Sequence, residues 1–111
     1  MENFDKIWNT NIKSLENKKV YTLSENKENE ILEVNDRFLK RRSSNGEVSE
    51  ILKSDFYWIY DLLQERGSIT RQEIQDCVGW CSSIVATVLA QLPNIQVSCS
   101  PVITLTFKKH L

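Results

Sequence analysis

The chain has 111 residues, enough for one domain or for one core with a small appended layer. Its residues are 41% hydrophobic and 26% charged, and 14 Lys and Arg against 15 Asp and Glu leave a net charge of −1. This balance excludes a chain that is basic throughout, so any affinity for nucleic acid has to come from local clusters, and no apolar run approaches the ~18 residues of a membrane span.

The first six residues lack the basic-then-apolar layout of a secretory signal. Three cysteines, an odd number, argue against a secreted disulfide framework. Both features place the protein in the cytoplasm as an expectation. Residues 1–50 hold ten acids and nine bases, and residues 51–111 five of each, so neither half is a basic domain.

Phe4, Ile7, Trp8, Ile12 and Leu15 form a helical stripe over residues 3–16, with Asn3 as a candidate N-cap. Residues 18–51 read as strands. Val20 to Leu23 favour extended structure, Ser24 to Asn29 reads as a polar loop, and residues 31–34 form a second run. Asn35-Asp36 turns the chain and residues 37–42 extend again. Asn45-Gly46 predicts a type I′ hairpin turn, and Val48 and Ile51 follow it. The sum is a three- or four-stranded antiparallel meander with one buried face.

From Ser54 the period changes to helical. Ser54 reads as a cap, Asp55 lies in the first turn, and Phe56, Ile59, Tyr60, Leu62 and Leu63 form an apolar face. Gly67 stops this helix after Arg66. Thr70 and Glu73 have the spacing of a capping box opening a short helix to about Cys77, and Gly79 makes the next turn. A third helix over residues 82–91 buries Ile84, Val85, Val88, Leu89 and Leu92, and Pro93-Asn94 ends it. Ile95, Val97 and Cys99, then Val102, Ile103, Leu105 and Phe107, alternate as a hairpin about Ser100-Pro101.

The residues at 59–63, 65–74 (Glu-Arg-Gly-Ser-Ile-Thr-Arg-Gln-Glu-Ile), 78–80 (Val-Gly-Trp) and 83–92 resemble the winged helix-turn-helix superfamily over residues 54–108. Residues 1–51 resemble no family, and read as an extra sheet layer or a dimerisation element; joined to the winged-helix resemblance they give an α+β expectation, an N-terminal helix and small antiparallel meander (1–52) packed on a winged helix-turn-helix (53–111) as one unit. The resemblance also implies a third helix that enters a DNA major groove while the first two brace it. The outward residues of that helix would be Ser82, Ser83, Ala86, Thr87, Ala90 and Gln91, whose polar members suit base edges or phosphates. No Arg or Lys lies between Glu73 and Gln96, which weighs against this role.

Lys40-Arg41-Arg42 is the one tight basic run, with Arg37 and Lys53 nearby. It reads either as a phosphate grip or as an edge strand protected by charge. Arg66, Arg71, Lys108 and Lys109 are further phosphate candidates. Cys77, Cys81, Cys99 and His110 lack zinc-site spacing, and the first two read as small core residues with Cys99 in a strand. Glu25, Glu28, Glu30, Glu33 and Asp36 read as a solvated face. Trp8, Trp58 and Trp80 read as core or interface residues, Trp80 most of all as interface. No catalytic constellation, phosphate loop, cofactor site or small-molecule substrate site is legible.

The leading expectation is a small non-enzymatic protein that binds double-stranded DNA, such as a transcription regulator or a mobile-element accessory factor, with a homodimer as one expected form. Two alternatives stand beside it. One is a protein–protein interaction adaptor on a winged-helix scaffold; the other is an accessory domain of a larger DNA-processing system.

Overall fold

The computed structural model describes residues 4–108 and contains helices with two antiparallel sheets. The first helix, α1 (Phe4–Ile7), continues as a wider π-helical turn over Trp8–Ile12 and a 3-10 turn over Lys13–Leu15. Phe4, Ile7, Trp8 and Ile12 are buried, as their spacing requires. Asn3 lies outside the described residues.

A four-stranded meander follows: β1 (Lys19–Tyr21), β2 (Glu28–Val34), β3 (Phe38–Arg42) and β4 (Val48–Leu52), paired in chain order. Two features differ from the sequence expectation. The polar loop is shorter, because Asn29 belongs to β2, opposite Val20, and is buried. The Asn45-Gly46 turn is not type I′. The Gly46 amide donates to the Ser43 carbonyl and only Gly46 has positive φ, at 90°. That is a type I turn closed by a left-handed glycine, the usual three-residue hairpin loop. Asn35 turns β2 into β3, with its side-chain oxygen accepting from the Arg37 and Phe38 amides.

The next helix, α2 (Lys53–Arg66), starts one residue before Ser54, and Ser54 does not cap it. Leu52 occupies the cap position without a side-chain bond. The physical reason is continuity: the Lys53 amide donates to the Arg37 carbonyl, so β4's pairing runs straight into the helix. Gly67 ends α2 in left-handed geometry, its amide donating to Leu63. Ser68–Thr70, read from sequence only as a lead-in, is a strand, β5. Three residues carry too little period to announce themselves. Then come α3 (Arg71–Val78), a 3-10 turn (Gly79–Cys81), α4 (Ser82–Leu89), β6 (Ile95–Ser98) and β7 (Thr104–Phe107). The Thr70–Glu73 capping box is formed in both directions. The second sheet has the order β5-β7-β6, antiparallel throughout. Cys99 lies beyond β6 and is exposed, so it is not a strand residue as expected.

One buried cluster runs through both halves of the chain, from Phe4 to Leu105. An aromatic seam fastens the first helix to α2: Phe4 lies 5.3 Å from Tyr60 and Trp8 lies 5.4 Å from Phe56, between ring centroids. The Trp8 indole N–H donates to the Asn35 carbonyl, so the same residue also fixes the β2–β3 turn. No helix among the described residues is long and apolar enough to cross a membrane.

Candidate interaction surfaces

The third helix carries the candidate base-contacting residues Ser82, Ser83 and Thr87. In α4, Ser82, Ile84, Val85, Ala86, Thr87, Val88 and Leu89 are all buried. Thr87 is 0% exposed and Ser82 3%, and only Ser83 in this helix is partly open. α2 and α3 pack against this helix, and β1 of the four-stranded sheet contacts it as well. The expected outward presentation of Ser82, Ala86 and Thr87 is therefore corrected. Thr87 tolerates burial because its hydroxyl donates to the Ser83 carbonyl at 2.8 Å, satisfying itself within the helix. Gln91, just past the helix, is exposed and donates to the Thr87 carbonyl.

The basic run is divided by strand alternation. Lys40 and Arg42 stand on one face of β3 and Arg41 on the other, beside buried Leu39. Arg42 pairs with Glu30 at 2.9 Å. Lys40 lies opposite Glu33 on one neighbour strand and Glu50 on the other. Arg41 turns inward, half-buried, donating to Asn29 Oδ1 at 2.6 Å and Ser49 Oγ at 2.9 Å. Burial holds its pKa below the usual arginine value, and the nearby Cys81 and Glu47 oppose that shift. Lys40, Arg41 and Arg42 thus do not share one face of the sheet. Among the acids read as a solvated face, Glu28 pairs with Lys19 and Glu25 with Lys27.

The remaining cations are scattered. Arg71 donates to Gln75, Arg66 pairs with Glu73 at 3.4 Å, and Lys53 pairs with Asp5 at 2.7 Å. Lys108 is exposed beyond β7, and Lys109 and His110 lie outside the described residues. No Lys or Arg occurs between Arg71 and Lys108, so α4 and the β6–β7 hairpin carry no cation between them. Burial pushes the Cys81 thiol up, with Asp55 as a second cause, so it stays protonated near neutrality.

Sequence reasoning missed a groove of about 740 Å³ beside α2. Tyr57, Asp61 and Gln64, one stripe of the helix, form one wall, while Asp36, Arg37 and Leu52 face it. Tyr57 and Leu52 are each about half exposed. The signal was the near-continuous aromatic run at 56–60, in which a helix can bury only one side. Trp58 and Trp80 are exposed elsewhere, Trp80 at 68%. No known protein family, curated protein or solved structure matches this chain.

Proposed function

We propose that this protein is a non-enzymatic protein–protein interaction module, a winged-helix scaffold whose third helix serves the core instead of a DNA groove. The scaffold reading is supported by the element order α2-β5-α3-α4-β6-β7 together with the β5-β7-β6 pairing. The single observation that carries the functional reading is the burial of Thr87 and Ser82, in a helix packed against α2, α3 and β1. A helix reads base edges only when its polar face can enter the groove, and phosphate affinity needs free cations. Here the helix face is covered and the cations of the basic run are paired, turned inward or set opposite acids.

Tyr57, Trp58, Trp80 and Leu52 are among the large apolar side chains left exposed to meet a partner. Aromatic side chains at exposed positions are characteristic of protein interfaces. A salt series on a mixed-sequence duplex tests the reading. The expected result is no measurable binding at micromolar protein, even at low ionic strength. Binding that weakens steeply as salt rises would restore the DNA-binding expectation and end this one.

A further inference from the structure

The groove beside α2 combines an apolar floor with an acidic rim. Its floor is apolar, built from the buried Phe4 ring and the half-exposed Tyr57 and Leu52 side chains. Its rim carries Asp36 and Asp61, neither of which has a hydrogen-bond or ion-pair partner among the described residues. The rim's cations do not balance them. Lys53 is committed to Asp5 at 2.7 Å and lies 5.9 Å from the Trp8 ring centroid, which leaves Arg37 alone against two carboxylates.

We infer that this groove takes a short segment of a partner protein in which a Lys or Arg stands beside a large apolar residue. The inference rests on the interaction-module reading and names the chemistry of its partner. The apolar residue would cover Leu52 and the floor. The cation would reach Asp36 and Asp61 and lie over the Tyr57 ring face, where ring quadrupole and carboxylates act in the same direction. The volume lies within the about 300–1,000 Å³ usual for binding pockets, which suits one or two side chains and not a folded domain. The two free carboxylates reject phosphate and nucleic acid.

The test uses the full chain and a random 12-residue phage-displayed peptide library. Enriched peptides should carry Lys or Arg next to Leu, Phe or Trp. Synthetic copies should bind the Asp61→Lys variant about tenfold more weakly in fluorescence polarisation. A copy with its cation replaced by Glu should regain binding to that same variant. Tyr57→Ala should also weaken binding, and Trp80→Ala should leave it unchanged. Asp61 is exposed and has no hydrogen-bond or ion-pair partner among the described residues, so its substitution should leave the circular dichroism spectrum intact. No enrichment, enrichment without a basic residue, or indifference to Asp61→Lys would overturn the inference. Peptides lost only on Trp80→Ala would overturn it while leaving the interaction-module reading standing. Self-association abolished by Tyr57→Ala would assign the groove to a second copy and also overturn it.

Discussion

Arg41 sits half-buried between Asn29 and Ser49, while the cations on either side of it point the other way. Its guanidinium ties β3 to β2 and to β4, and Asn29 is only 2% exposed. Removing it leaves Asn29 Oδ1 without its donor inside the sheet. Arg41→Ala should therefore cost about 1–3 kcal/mol, read by urea denaturation. Arg42→Ala, which breaks an exposed pair, should cost under about 1 kcal/mol. A second residue-scale expectation concerns acid. Glu16 accepts from the Val34 amide and Glu73 from the Thr70 amide, and these bonds hold both carboxyl groups below the usual range. A folded-state pKa lowered in this way gives stability that is complete above the ordinary Glu value and lost as pH falls through the lowered one. The melting temperature should drop across that acidic window. Glu16→Gln with Glu73→Gln should lower it at neutral pH and flatten the acid limb.

At the scale of elements, the local signals were legible where one residue type acts through its own backbone. Gly67 and the Thr70–Glu73 box end and start their helices as read. The Asn35 turn and the alternating meander also follow from sequence. Contacts between distant segments were not legible. Nothing local says that α4 is packed against α2, α3 and β1 at once, so Thr87 read as a groove residue. Two clues existed: Ala86 and Ala90 on the side assigned outward, and no cation from 72 to 107. Small residues let a sheet approach a helix closely, and a helix apolar nearly all round belongs in a core. Thr87→Lys separates the two readings sharply. On an exposed groove helix it would add a phosphate contact and leave stability unchanged. Buried as it is, an unpaired ammonium there should destabilise by about 3 kcal/mol or more, or prevent folding.

For the molecule as a whole, the seam of Phe4, Trp8, Phe56 and Tyr60 and the shared buried cluster join residues 4–52 to the rest. The two parts of the chain should then open together. Native-state hydrogen exchange should give amides of β2 and α4 the same opening free energy and the same denaturant dependence. An α4 that exchanges while β2 stays protected would show that the meander lifts away. The candidate surface is likewise a property of the whole. The groove needs α2, the β2–β3 turn and the first helix at once, so no single sequence stretch announces it.

The cover over α4 is tested most directly by thiol labelling of a Thr87→Cys variant, followed by peptide mapping to separate its new thiol from Cys77, Cys81 and Cys99. If the meander covers the helix in solution, that thiol should react no faster than the protein unfolds, while exposed Cys99 reacts at once. A Thr87→Cys thiol that labels as fast as Cys99 in the folded protein would contradict the buried helix, and with it the interaction-module reading.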